Sequence, residues 1–192
     1  MQERIKGIIH ASISVKTAVL TDESLIGRIG NAVELLVSVF NNKGKVLFCG
    51  NGGSAADAQH LAAEFSGRFY YDREPLDAEA LHVNSSYLTA VANDYSYEEV
   101  YARLVKAKGA KGDVLVALST SGNSSNIINA MKVAGELGMK TIGFTGVTGG
   151  KMKELADILL NVPSDDTPRI QESHITIGHI ICELVEARLF PR

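Results

Sequence analysis

The sequence has no tryptophan, only two cysteines among 192 residues, four prolines and no surplus of positive charge. Each shortage excludes something. Cys49 and Cys182 both sit in apolar runs and form no CxxC pair. They read as buried thiols, and a disulfide framework is not expected. A net charge of −3 leaves no basic excess to neutralise a run of phosphates, so no general nucleic-acid partner is expected; a local basic patch stays open. No apolar stretch approaches the roughly 20 residues of a membrane span. The opening MQERIKGIIH lacks the long apolar core and small-residue cleavage site of a signal peptide. The expectation is a cytoplasmic protein without a membrane partner.

What is present is ordinary for a globular chain: 45% hydrophobic and 21% charged residues. The length suits one domain, or one domain with a helical extension. The expected division is a helical segment, 1–41, and a domain, 42–192. Helices are expected over 2–20 and 22–41. In the second, Leu25, Ile29, Val33, Leu36 and Phe40 recur at helical spacing. Asp22 caps its start, and Asn42-Lys43-Gly44 ends it. Beyond that point short apolar runs alternate with helical patterns. Strands are expected at 45–49, 80–83 (the weakest), 113–118, 140–144 and 157–162. Helices are expected at 54–66, 85–92, 96–107 and 124–137, after Gly149-Gly150, and over 168–189. Strands that are apolar throughout and alternate with helices imply an α/β fold, a five-stranded parallel sheet covered on both faces. The polar, aromatic loop 66–75 stands apart as a mobile or functional segment.

Three stretches carry chemistry. Gly50-Asn51-Gly52-Gly53-Ser54-Ala55 fits the dinucleotide fingerprint G-x-G-x-x-A between a strand and a helix. The fingerprint also needs an acid at the end of the next strand, about 20 residues on, but the corresponding region, Phe69–Pro75, is a loop by composition. A turn that brings backbone close to a small phosphorylated ligand suits the glycines better; a bare strand-to-helix turn is the plainer alternative. Ser119-Thr120-Ser121-Gly122-Asn123-Ser124-Ser125-Asn126 follows the strongest strand and opens a helix. Neutral hydroxyls beside free helix amides make an anion seat. Without the lysine of a nucleotide P-loop it suits a phosphate monoester. The plainer alternative is a serine-rich cap.

The third stretch is a histidine–carboxylate pattern. His60 and Glu64 lie four residues apart on one helical face, either as a surface ion pair or as part of a site at the end of a parallel strand. On the last helix Ile170, Ile177, Ile181 and Leu184 form the inward face. His179, set among isoleucines, reads as a buried, satisfied histidine. His174 and His179 face nearly opposite ways. Gln171 and His179 are separated by about 80° around the helix and roughly 12 Å along it, so spacing alone suggests no shared ligand.

CGNGGSAADAQHLAAEF, NDYSYEEVYAR, LSTSGNSSNII, TGGKM and RIQESHITIGHI, in this order, resemble the sugar isomerase (SIS) domain of bacterial phosphoheptose isomerases, from about residue 40 onward. The resemblance implies a three-layer αβα sandwich of flavodoxin-like type with N-terminal helices. It implies isomerisation of sedoheptulose 7-phosphate to D-glycero-D-manno-heptose 7-phosphate through an enediol, the first step toward the heptose of lipopolysaccharide or surface glycans. It implies a homotetramer with sites between subunits and one zinc per subunit. Carried over residue by residue, the metal set is His60, Glu64, Gln171 and His179, and the acid/base pair is Glu64 and His179. The substrate contacts are Asn51, Gly52, Gly53, Ser54, Ser119, Thr120, Ser121 and Ser124, with Arg68, Asn93, Asp94, Arg169 and Gln171. A relative that binds the replication initiator DnaA resembles the chain at MQERIK and LFPR, and gives the alternative of a non-catalytic binding protein. That relative lacks the glutamate and the second histidine, both of which are present here.

Overall fold

The computed structural model describes residues 1–192. Its centre is made by two runs with no polar side chain, β1 (Val46–Cys49) and β3 (Val114–Leu118), every residue of which is buried. Such strands can only lie inside a sheet with both faces covered. They pair in parallel, Val46 opposite Val114 through Cys49 opposite Ala117. β4 (Lys140–Thr145) and β5 (Ile158–Asn161) extend the sheet on one side, and β2 (Ala78–Ala80) closes the other. The order is β2-β1-β3-β4-β5, all parallel.

β2 lies two residues before its expected place. The apolar residues Leu81 and Val83 mark 80–83 as a strand, but pairing runs only from Val46–Ala78 to Phe48–Ala80. Leu81 donates one more bond to the Phe48 carbonyl and is buried, and the chain then turns away. Glu79 fits this edge because it pairs with Lys108 at the solvent side.

Helices α2 (Glu23–Asn41), α3 (Gly53–Ser66) and α7 (Thr167–Leu189) cover one face. α4 (Ser85–Asp94), α5 (Val100–Lys108) and α6 (Ser125–Glu136) cover the other. Asp22 accepts the amide of Leu25 at 2.9 Å and fixes the start of α2, whose Leu25, Ile29, Val33 and Leu36 enter the core. On α7 the inward line is Ile170, His174, Ile177, Ile181 and Val185. Leu184, expected inside, is exposed, because the four-residue step from Ile181 to Val185 keeps closer to the buried stripe than the three-residue step. α1 (Gln2–Thr21) has no fully buried residue; Val15 and Val19 pack against the core beside α2 and α7, and Ile5, Ile8, Ile9 and Ile13 are exposed.

The strand order reverses between β1 and β3. Sheets of this type offer a crevice at that switch point, outside the carboxyl ends of the strands. The glycine turn after β1 and the serine loop after β3 stand on its two sides.

Candidate active site

The glycine turn is forced by close approach. A Cβ on Gly50 would lie 2.4 Å from the carbonyl oxygen of Ser54, so any side chain there would push β1 off the first turn of α3. Gly52 takes a φ of +56°, the left-handed region that glycine enters freely. The Tyr101 hydroxyl, buried beneath the turn, donates to the Gly50 carbonyl. Across the switch point Asn51 and Asn126 exchange two amide hydrogen bonds of 2.9 Å, and the Tyr97 hydroxyl donates to the Asn51 side-chain oxygen at 3.1 Å. The two loops are thereby joined.

The serine loop closes a pocket of about 140 Å³. Ser119, Thr120, Ser121 and Ser124 line one side, Asn51 and Ser54 the other, and Gln171 of α7 the third. The Ser119 hydroxyl lies 3.1 Å from that of Ser124 and 3.5 Å from that of Ser121. Ser124 is the N-cap of α6, yet its side chain makes no capping bond. The first turns of α3 and α6 both line the pocket. The amides of Ser54 and Ala55 already donate to the glycine turn, while those of Ser125 and Asn126 at the start of α6 have no backbone partner and make the pocket attractive to an anion. No lining side chain is charged. The loop rests backbone to backbone on the Gly149-Gly150 turn: Met152 donates to the Gly122 carbonyl, and Lys151 to the Asn123 side chain.

Further along α3 and α7, His60 and Glu64 of the first meet His179 of the second. Their ligand atoms all lie within 4.8 Å of one another. His60 Nε2 is 2.9 Å from His179 Nε2 and 3.3 Å from Glu64 Oε1. Two facing ring nitrogens need a proton or a cation between them, since two lone pairs at that distance repel. Two imidazoles and a carboxylate are also the donor set of one class of catalytic zinc site, so these residues fit such a metal. Glu64 and His179 are partly buried and His60 is more open.

The buried histidine of α7 is therefore His174, not His179, and it is only half satisfied, because its Nδ1 has no hydrogen-bond partner. His174 is fully buried, its Nε2 lies 3.1 Å from the Thr145 carbonyl, and burial pushes its pKa down to about 4. Gln171 lies at the pocket, its amide packed over Gly53, where a Cβ would come within 2.4 Å of Nε2.

The SIS domain family profile matches residues 11–146. The phosphoheptose isomerase of Aneurinibacillus thermoaerophilus is 52% identical over 99% of this chain and 96% of its own length. Phosphoheptose isomerase 2 of Campylobacter jejuni is 52% identical over 97% and 92%. Among solved structures, phosphoheptose isomerase GmhA from Neisseria gonorrhoeae superposes with a TM-score of 0.91 at 44% identity, covering 97% of this chain and 98% of that one. The chain belongs to the phosphoheptose isomerase family.

Four positions that resemblance to this family marks as substrate contacts stand away from the pocket within one chain. Arg68 is exposed. Asn93 and Asp94 bond to each other on the exposed end of α4. Arg169 pairs with Glu172 and reaches the Ile8 carbonyl of α1. Conversely, sequence reasoning missed Asn126, Tyr97 and Tyr101, which shape the glycine turn. It also missed Arg73 and Glu186, a buried ion pair of 3.0 Å. The aromatic spacing in NDYSYEEVYAR was the only available signal for the tyrosines. Nothing local links residues 73 and 186.

Proposed function

We propose that the chain is an aldose–ketose isomerase that converts sedoheptulose 7-phosphate to D-glycero-D-manno-heptose 7-phosphate. One observation carries this reading: α3 and α7 run side by side from the anion pocket to the acid/base pair. Ser54 and Glu64 are separated by about 15 Å along α3, with the Glu64 carboxylate reaching back to 3.3 Å from His60 Nε2, and Gln171 and His179 by about 12 Å along α7. An extended seven-carbon sugar with its phosphate among the serines spans such a distance and brings C1 and C2 to Glu64 and His179.

In this reading Ser119, Thr120, Ser121 and Ser124 hold the phosphate, and Asn51, Gly52, Gly53, Ser54 and Gln171 hold the sugar. Glu64 takes a proton from one carbon and returns it to its neighbour. His179 moves the proton between the two oxygens. General acid–base steps of this kind contribute about 10²–10⁴-fold each. The proposed metal is zinc, one per subunit, at His60, Glu64 and His179; Gln171, a fourth ligand by resemblance, lies instead at the phosphate pocket, about 12 Å along α7 from His179. Held by these residues, zinc would supply Lewis-acid polarisation of a substrate oxygen.

The proposed assembly is a homotetramer with sites between subunits. The exposed isoleucines of α1 support it, as do Arg68, Asn93, Asp94 and Arg169, which find no pocket within their own chain. The product feeds heptose synthesis for lipopolysaccharide or surface glycans in the cytoplasm. No helix is long and apolar enough to cross a membrane. The converged acid/base pair favours the enzyme over a non-catalytic protein that binds the replication initiator DnaA.

Incubation with sedoheptulose 7-phosphate, followed by NMR, tests the reading. The aldose phosphate is expected to accumulate to equilibrium. No turnover with zinc supplied would overturn it.

A further inference from the structure

The loop between α3 and β2 is organised around two buried charges. The side chains of Arg73 and Glu186 are 2% and 1% exposed, and Arg73 Nε donates to Glu186 Oε2 at 3.0 Å. Glu186 also accepts the amides of Phe69, Tyr70 and Tyr71 at 2.7 to 3.0 Å. Burial pushes its carboxyl up, but those amides and Arg73 outweigh it and hold the group below its ordinary range. The remaining Arg73 donors go to backbone. Nη2 reaches the Glu64 carbonyl at 2.9 Å, and Nη1 reaches those of Phe65, Gly67 and Glu74 at 2.8, 3.2 and 3.0 Å.

The Glu64, Phe65 and Gly67 carbonyls lie at the end of α3, where no further helical amide can reach the Glu64 oxygen. Arg73 is thus a side-chain cap on the turn that carries Glu64. Its partner sits on α7, two turns beyond His179. The loop so anchored also places the Phe69 ring 5.7 Å from the His179 ring. Burying two charges gives little net stability, and an apolar pair of similar size commonly holds a fold as well. What an apolar pair lacks is a fork that binds a carbonyl on one helix and a carboxylate on the other.

We infer that Arg73 and Glu186 are positioning residues for the isomerisation: together they lock the last turn of α3 to α7 and thereby set Glu64 against His179. The inference rests on the function proposed above. It assigns no contact with substrate to either residue.

The test compares Glu186→Gln and Arg73→Lys with the parent protein, both kept at native size. Glu186→Gln loses the charge and half the acceptor capacity; Arg73→Lys keeps the charge and loses the fork. Three quantities are read: kcat and KM for sedoheptulose 7-phosphate, zinc affinity by chelator competition, and the Kd of inorganic phosphate. Expected are a fall in kcat and in zinc affinity of about 10–100-fold each, the usual effect of removing a group that orients metal ligands. Phosphate Kd is expected within twofold of the parent, because the serine loop belongs to other elements.

Zinc affinity and kcat within twofold of the parent in either folded variant would overturn the inference. So would a parallel loss of phosphate binding, which marks general collapse. If Glu186→Gln does not fold, Arg73→Lys alone decides. A parent protein that does not turn over the sugar defeats the proposed function instead, and zinc and phosphate binding still test the positioning.

Discussion

The buried histidine of α7 makes stability depend on pH in a way that can be isolated. His174 has an ordinary pKa of 6.5 in the unfolded chain and about 4 in the folded one, lowered by burial and only partly raised by its bond to the Thr145 carbonyl. Above pH 6.5 both states hold a neutral ring and the group adds no pH dependence. As pH falls below that, the unfolded chain binds a proton that the native chain refuses, so native stability drops by up to about 1.4 kcal/mol per pH unit. By pH 4 the loss totals roughly 3 kcal/mol. His174→Gln removes this dependence at a constant cost from the weakened Thr145 contact. Urea unfolding of both proteins at equal concentration, from pH 7 to pH 4, gives the difference, in which the carboxylates common to both cancel. The parent is expected to be the more stable at pH 7, and its advantage to shrink by about 1–2 M in urea midpoint as pH falls, for slopes of the usual size. A stability difference that stays constant across this range would refute the reasoning.

Glu64→Gln keeps shape while removing the proposed base, and turnover is expected to fall by about 10²–10⁴-fold with phosphate affinity unchanged; normal turnover would remove Glu64 from the chemistry. Ser124→Ala should lower the melting temperature only slightly, because Ser124 makes no capping bond and loses only its contact with the Ser119 hydroxyl, while weakening inorganic phosphate binding about tenfold, near 1.4 kcal/mol; calorimetry reads both. Gly50→Ala forces a Cβ onto the Ser54 carbonyl and should cost about 1–3 kcal/mol and abolish turnover. Full stability of that variant in a denaturant titration would contradict the close approach.

The strands were legible where burial is total. β1 and β3 read directly because no polar residue interrupts them. β2 did not, because an edge strand can carry Glu79 and because the buried Leu81 belongs to the turn beyond it. Both loops of the pocket were readable from glycine and serine at strand ends. The histidines of α7 were not. His179 has more isoleucine around it in sequence, but helical phase turns His174 inward and His179 toward α3. The meeting of His60 and Glu64 with His179 joins residues more than a hundred positions apart, so only the resemblance could suggest it. Arg73 and Glu186 are as distant and lie in no shared pattern. A single sequence contains no spacing that records such a pair.

The side-by-side run of α3 and α7 makes the cleft a ruler whose graduations are helical rise. Ketose phosphates one or two carbons shorter, anchored by the same phosphate, would stop short of the proton-transferring groups. Substituting the residues that touch hydroxyls would alter grip but not reach. Retuning the catalyst to a different chain length would call for adding or deleting residues within both helices, between the seat and the working end.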